Sequence, residues 1–141
     1  MYLYDKINFR LNQDGDFLYN ILKTINDTTY MVENNNHIYI AKVISLEETD
    51  LYKKLMAINN PYIAKIYGFE VIDGQFCVIE EYVLGSTLEE YVMENGSLDD
   101  ETVKSIVTQL CSGLSEIHKT GLVHRDINPT NVMVDGYGRV K

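Results

Sequence analysis

Residues 124–131 read His124-Arg125-Asp126-Ile127-Asn128-Pro129-Thr130-Asn131, and this stretch determines the fold assignment. It lies between two short apolar segments that we predict to be strands, Leu122-Val123 and Val132-Met133-Val134. A short loop between strands can place its aspartate and its last asparagine on one wall of a cleft. There the carboxylate can accept a proton from a hydroxyl group, and the amide oxygen can bind a metal ion. The alternative is a charged surface loop that turns at its Asn-Pro pair.

The composition limits the classes of protein to consider. A length of 141 residues fits one domain, and 45% hydrophobic residues are enough for a buried core. The net charge of −9 argues against a nucleic-acid-binding surface. No apolar run reaches the about 18–20 residues of a membrane span, and the first residues lack the pattern of a signal peptide. The two scattered cysteines, Cys77 and Cys111, are typical of a reduced, cytoplasmic protein.

The first half of the chain predicts a small α+β lobe after an N-terminal extension over residues 1–16. Five segments are rich in strand-forming residues, at 17–25, 29–33, 37–44, 64–72 and 75–82. The last two are joined by Asp73-Gly74, a favoured hairpin turn. Ser45-Leu46-Glu47-Glu48 has the form of a capping box and predicts a helix that extends to about Ile58. Five antiparallel strands with one inserted helix make an α+β lobe.

The second half predicts helices and a hairpin. A short helix is expected from Gly85 to about Glu94, followed by a long helix over residues 100–119 that begins with acidic side chains. The apolar stripe of the long helix consists of Val103, Ile106, Val107, Leu110, Leu114 and Ile117. Gly121 is placed to end this helix, and a final hairpin turns at residues 135–138.

The loop and this order of elements resemble a protein kinase domain of the serine/threonine or bacterial type. The catalytic loop of that family has the form H-R-D, four further residues and an asparagine, which is the spacing at residues 124–131. The resemblance covers residues 17–141. It implies a kinase N-terminal lobe over residues 17–83 and the first part of a C-terminal lobe over residues 84–141. It also implies ATP and Mg²⁺ as cofactors and phosphoryl transfer to a protein hydroxyl group.

The resemblance assigns roles in the reaction to individual residues. Asp126 would accept or orient the proton of the substrate hydroxyl group, and Asn131 would hold magnesium. Lys42, at the end of the third strand, would bind the α- and β-phosphates of ATP. The alternative for Lys42 is a lysine that extends from a strand end into water. Asn128 replaces a lysine of the family pattern, so it can donate a hydrogen bond but supplies no charge.

Further residues would contact the adenine or support the site. The adenine contacts implied by the resemblance are Ile40, Glu80, Met133 and the backbone of Glu81 and Val83. His124 would join Leu55 and Ile66 in an apolar column that links the lobes. Arg125 would brace the loop or contact a phosphorylated activation segment.

The sequence departs from the family pattern in its phosphate-binding elements. Three glycines expected near Lys23, Ile25 and Thr28 are missing. Leu51 stands where the family has a helix glutamate that pairs with the lysine of the third strand. Glu48, or less favourably Glu47, could pair with Lys42 from one turn earlier, although both also suit helix capping.

Glu80 provides a different hypothesis for the partner of Lys42. It falls at the gatekeeper position of the family, deep in the cleft, and a buried carboxylate needs a partner. We therefore consider a Glu80–Lys42 ion pair as a replacement for the pair with the helix.

Three functions remain open from the sequence. The first is an ATP-dependent serine/threonine protein kinase with an unidentified protein substrate. The second is a kinase-derived binding or regulatory module, and the third is a small-molecule phosphotransferase of related fold. The Asp-Phe-Gly motif of the family would fall a few residues beyond Lys141. We therefore expect the 141-residue chain to lack kinase activity by itself and to self-associate through the apolar stripe of its long helix.

Overall fold

The structure is a computed structural model that describes residues 19–72 and 75–141. The predicted N-terminal extension, the start of the first predicted strand and the turn at Asp73-Gly74 lie outside these residues. The chain divides into two compact units. Within the described residues, the first comprises those up to Met56 together with Lys65–Tyr82, and the second comprises Ala57–Ala64 together with Val83–Lys141.

The first unit is built on a five-stranded antiparallel sheet in the order β1-β2-β3-β5-β4. The strands are β1 (Asn20–Asn26), β2 (Thr29–Asn34), β3 (His37–Ile44), β4 (Ile66–Ile72) and β5 (Gln75–Glu81). The predicted α+β fold and its five strands are confirmed, with shifts of a few residues at the strand ends. β3 is central because it pairs with β2 on one side and β5 on the other.

Alternate side chains of β3 pack on opposite faces of this sheet, as the two-residue period of a strand requires. Ala41 lies in one cluster, whose buried members are Tyr30, Val32, Ala41, Cys77 and Ile79. Ile44 lies in a second cluster with Ile66 and Val78. Ile40 and Lys42 therefore share the face of Ile44, and Ala41 points away from them, as the alternation predicts.

One helix connects β3 to β4. A 3₁₀ turn, Leu46–Glu48, leads into α1 (Thr49–Met56), so the expected extension to Ile58 is wrong by two residues. Tyr52 and Leu55 pack against the cluster of Ile44, Ile66 and Val78. Spaced three residues apart, they form the face of α1 that is turned to the sheet.

The second unit contains a two-stranded ribbon and two helices. Its elements are β6 (Gly85–Thr87), α2 (Leu88–Asn95), α3 (Asp100–Lys119) and β7 (Met133–Asp135). The predicted start of a helix at Gly85 is wrong because Gly85–Thr87 pairs with β7. The helix begins at Leu88 because Thr87 and Glu90 form a reciprocal capping box, in which each backbone N–H donates to the other side chain at 2.8 and 3.1 Å.

The strand expected at Leu122-Val123 is absent from the described structure. One edge of β7 pairs with β6, and Val134 forms a bridge with Val140 on the returning chain. Both edges of β7 are therefore used, and residues 122–123 adopt no regular structure.

α3 has the bounds that the sequence predicts. Its N-cap, Asp99, accepts a hydrogen bond from the Thr102 N–H at 2.7 Å, and Gly121 follows its end in a left-handed conformation (φ +82°). Ile106 is buried with Val132, Val134 and Val140. No helix in the described ranges is long and apolar enough to cross a membrane.

The segment 57–64 belongs to the second unit, which the sequence analysis did not predict. A Cβ added to Gly113 of α3 would lie 3.1 Å from the carbonyl oxygen of Tyr62. The Asn60 amide also donates to the Ser112 hydroxyl at 3.4 Å. The small residues of α3 thus let this segment pack closely against the helix.

Candidate active site

The loop at residues 124–131 is shaped by its own hydrogen bonds. Arg125 has a left-handed backbone conformation, with φ +66°. Such a conformation is costly for a residue with a side chain and persists where the surroundings hold it. The next residue, Asp126, donates its backbone N–H to Nδ1 of His124 at 3.2 Å. His124 and Arg125 are both exposed.

The Asp126 carboxylate is held by two amide groups. Asn128 donates its Nδ2 to Asp126 Oδ1 at 3.1 Å, and Asn131 donates its Nδ2 to Asp126 Oδ2 at 3.0 Å. The Asn131 amide also donates to the backbone carbonyl of Asp126 at 2.9 Å. Each carboxylate oxygen therefore accepts one amide hydrogen bond, which orients an exposed acid without burying it.

Asn128 organises the second half of the loop. Its side-chain oxygen accepts hydrogen bonds from the N–H of Thr130, at 2.9 Å, and from the Thr130 hydroxyl group. Its backbone carbonyl accepts a hydrogen bond from the Asn131 N–H at 3.0 Å. This is an Asx-type turn, as the Asn-Pro pair predicts, and it brings Asn131 back toward Asp126.

The start of α2 anchors the end of this loop. The N–H of Glu89 donates to the carbonyl of Pro129 at 3.1 Å, and the N–H of Leu88 donates to the carbonyl of Val132 at 2.7 Å. This contact is not evident from the sequence. The T-x-x-E pattern at Thr87–Glu90 could have placed the helix start, but not the loop that it meets.

An ion pair joins Lys42 and Glu80 in the first unit. Lys42 Nζ lies 2.8 Å from Glu80 Oε2, and the two side chains are 39% and 13% exposed. The pair that the sequence suggested as a hypothesis is therefore present. It crosses from β3 to β5, because Ile40 is opposite Glu80 and Lys42 is opposite Val78 in the sheet register.

Glu48, the alternative partner for Lys42, is engaged elsewhere. Its carboxylate accepts the backbone N–H of Ser45 at 2.8 Å and the Ser45 hydroxyl at 3.0 Å. Glu48 thus closes the turn before α1, as a capping-box acid does. Of the acids considered, the structure places Glu80 against Lys42, and Leu51 on α1 is 38% exposed.

The phenol of Tyr52, on α1, is influenced by the charges of both acids. Burial, and then the negative charges of Glu80 and Glu48, raise the pKa of the Tyr52 phenol to about 12. The phenol therefore stays protonated and neutral at physiological pH.

Residues 19–141 match the family model described as protein kinase domain. The chain belongs to the protein kinase family. Serine/threonine-protein kinase PrkC of Bacillus subtilis is 35% identical over 85 residues, which are 60% of this chain and 13% of that protein. Serine/threonine-protein kinase SSK22 of Saccharomyces cerevisiae is 32% identical over 119 residues, 76% of this chain and 9% of that protein.

A solved kinase structure has the same fold. The structure of Rad53 residues 1–466 in complex with AMP-PNP superposes with a TM-score of 0.78 at 22% identity, covering 89% of this chain and 37% of that one. The kinase chain described here thus spans about a tenth of the length of the two curated relatives.

The structure groups the predicted kinase residues into two sets. In the first unit, Ile40, Lys42 and Glu80 lie on one face of β3 and β5. In the second unit, Asp126, Asn128 and Asn131 form one hydrogen-bonded loop.

The remaining predicted residues lie outside these two sets, and some of them take part in backbone hydrogen bonds. The N–H of Glu81 donates to the carbonyl of Lys65 at 2.7 Å, which extends the pairing of β4 with β5 by one residue. Val83 follows at the start of the second unit, and Met133 exchanges backbone hydrogen bonds with Lys141 at 2.8 and 3.0 Å. Leu55 and Ile66 pack in one cluster of the first unit, while His124 is exposed in the loop.

The donor atoms of the loop suit a hard cation. Because the amide nitrogen of Asn131 points to Asp126, its amide oxygen is turned away from that carboxylate. Amide and carboxylate oxygens are the ligand types that Mg²⁺ prefers, together with water and phosphate oxygens. Asn131 therefore fits the role of a magnesium ligand.

Proposed function

We propose that this chain is the nucleotide-binding and catalytic-loop part of an ATP-dependent serine/threonine protein kinase. The observation that carries the proposal is the loop in which the amides of Asn128 and Asn131 hold the two oxygens of Asp126. An acid fixed in this way, next to an amide suited to magnesium, matches what phosphoryl transfer requires.

In the proposed reaction each residue has a separate task. Asp126 accepts the proton of the substrate hydroxyl group while the oxygen of that hydroxyl group bonds to the γ-phosphorus of ATP. The bond between the γ-phosphorus and the β–γ bridging oxygen breaks, and ADP leaves. Lys42 holds the α- and β-phosphates, and Asn131 holds magnesium, which neutralises charge on the phosphates when bound. Asn128 keeps the loop in shape but brings no positive charge to the transferring group, so we expect a slower reaction than with a lysine there.

The second candidate is a kinase-derived binding or regulatory module. It is favoured by Asn128 and by the turn between β1 and β2, where Asn26, Asp27 and Thr28 stand in place of a glycine-rich loop. In that turn the Asn26 side chain accepts the N–H of Thr28 at 3.0 Å. Glycines would let backbone N–H groups approach phosphates more closely.

Thermal unfolding with ATP, with and without magnesium, separates the two functions. A ligand that binds the folded state stabilises it by about 2.7 kcal/mol at a hundredfold excess over its Kd. We expect ATP alone to raise the Tm, magnesium to enlarge this rise, and Lys42→Ala to abolish it. Asn131→Ala should keep a shift with ATP alone but lose its dependence on magnesium. A wild-type chain with no shift at saturating ATP would contradict nucleotide binding and favour the module.

Two further expectations from the sequence stay predictions. The cytoplasmic location rests on the free cysteines, Cys77 and Cys111. Self-association rests on the exposed part of the α3 stripe, where Val103 and Val107 are 45% and 50% exposed. Sedimentation velocity at several concentrations would measure it, and a concentration-independent monomer would contradict it.

A further inference from the structure

If Lys42 binds nucleotide phosphates, as proposed above, its long side chain needs a residue that holds the ammonium group in one place. A lysine side chain has four rotatable bonds, and immobilising it costs free energy. A fixed carboxylate at 2.8 Å, as Glu80 provides, lowers that cost before any ligand arrives.

The position of Glu80 is set by the sheet alone. β3 and β5 are adjacent antiparallel strands, and Glu80 lies opposite Ile40, two residues before Lys42. Diagonal neighbours of this kind are about 7–8 Å apart at the backbone, within reach of long side chains. The ion pair therefore follows from strand register and needs no contribution from a helix.

α1 contributes no acid to this pair. The Glu48 carboxylate accepts hydrogen bonds from both the backbone N–H and the hydroxyl group of Ser45. The position predicted for a helix glutamate holds Leu51. Tyr52 of α1 packs against the cluster of Ile44, Ile66 and Val78.

We propose that Glu80 is the positioning residue for Lys42, in place of a glutamate on the helix. In many protein kinases the lysine–glutamate pair depends on where the helix lies, and activation controls that position. Here the pair is internal to the sheet, so Lys42 is oriented whether or not α1 moves. A change in the position of α1 would therefore not alter the orientation of the phosphate-binding lysine.

The affinity of the full chain for Mg-ATP, measured by calorimetry, tests this proposal. We expect Glu80→Gln to raise the Kd about tenfold, equivalent to about 1.4 kcal/mol. Glu80→Asp, which keeps the charge on a shorter side chain, should give an intermediate Kd. Glu48→Gln should leave the Kd within about twofold, and Asp50→Asn is a matched control for loss of an exposed α1 carboxylate.

A measurement without nucleotide separates this proposal from the proposed function. The NMR order parameter of the Lys42 ammonium nitrogen should fall in Glu80→Gln and stay at the wild-type value in Glu48→Gln. A wild-type chain that binds no Mg-ATP would overturn the proposed function, while the order parameter would still show whether Glu80 positions Lys42.

Three results would overturn the positioning role itself. They are an unchanged order parameter and Kd in Glu80→Gln, a loss that appears with Glu48→Gln instead, and tighter nucleotide binding in Glu80→Gln. The last result would mean that Glu80 competes with the phosphates for Lys42.

Discussion

Replacing Gly85 with alanine should open the ribbon that supports the catalytic loop. Gly85 in β6 pairs with Asp135 in β7. A Cβ at this position would lie 2.0 Å from the carbonyl oxygen of Val134 and 2.9 Å from the Cα of Asp135. These are backbone atoms, so no side-chain rotation can relieve the clash.

The size of the effect follows from these distances. Real Cβ atoms essentially never approach another heavy atom within 3.0 Å, so the strands must separate by at least 3.0 − 2.0 = 1.0 Å. A backbone hydrogen bond of about 2.9 Å would then lengthen to about 3.9 Å, beyond bonding range. Losing two or three such bonds, at about 1 kcal/mol each, should destabilise the second unit by about 2–3 kcal/mol.

Gly136→Ala is the matched control, because Gly136 lies in the turn that directly follows β7, the strand that pairs with Gly85. A Cβ there would meet nothing within 4 Å, and Gly136 is not among the glycines with positive φ. We expect it to be neutral or to stabilise by at most about 1 kcal/mol, since alanine reduces the entropy of the unfolded chain.

Urea unfolding followed by NMR amide signals of β7 and α3 would report the second unit by itself. The Leu88 N–H, which bonds to Val132, should lose protection from hydrogen exchange in Gly85→Ala. If the free energies of unfolding of Gly85→Ala and Gly136→Ala agreed within about 0.5 kcal/mol, the close approach of the strands would not be what requires glycine at Gly85.

Other substitutions probe the core, a helix cap and a titrating phenol. Ile106→Ala should cost about 3 kcal/mol because this side chain is 6% exposed in its cluster, and Val107→Ala, at 50% exposed, should cost less than about 1 kcal/mol in urea unfolding. Asp99→Ala should lower the Tm more than Asp100→Ala, because Asp99 caps α3. Hydrogen bonds to backbone N–H groups lower the pKa of Asp99, so its stabilisation is present above its unfolded pKa of 3.8 and is lost as the pH falls below it. Burial and the charge of Glu80 raise the pKa of Tyr52 from 10.0 to about 12. The contribution of Tyr52 to the free energy of unfolding is therefore fully present below pH 10 and is lost as the pH rises toward 12. Tyr52→Phe should therefore lose less stability than wild type between these two pH values, and equal losses would contradict the assigned cause.

Local patterns in the sequence were enough to predict most of the secondary structure. α3 begins and ends where its acidic N-terminus and Gly121 indicate, and β3 matches its predicted bounds. Capping, turn formation and hydrophobic periodicity depend on residues within about four positions of one another, so the sequence shows them directly. The H-R-D spacing indicated the kinase family in the same way.

The predictions from the sequence were wrong or incomplete where segments far apart in the chain pack together. Gly85–Thr87 is a strand only because β7 lies beside it. Residues 122–123 remain irregular, and other segments pair with both edges of β7. Segment 57–64 joins the second unit through close packing on Gly113, a contact that no local pattern signals. Pairing between such segments depends on tertiary contacts that override local propensity.

The same distinction between local sequence patterns and tertiary contacts applies to the candidate site. By itself, the sequence determined which residue types are present: a lysine on the third strand, three candidate acids, and an aspartate followed by two asparagines on one loop. Only the tertiary structure decided that Glu80, rather than Glu48, lies against Lys42. The physical reason is strand register: pairing of β3 with β5 places two residues that are far apart in sequence on one face, within reach of each other.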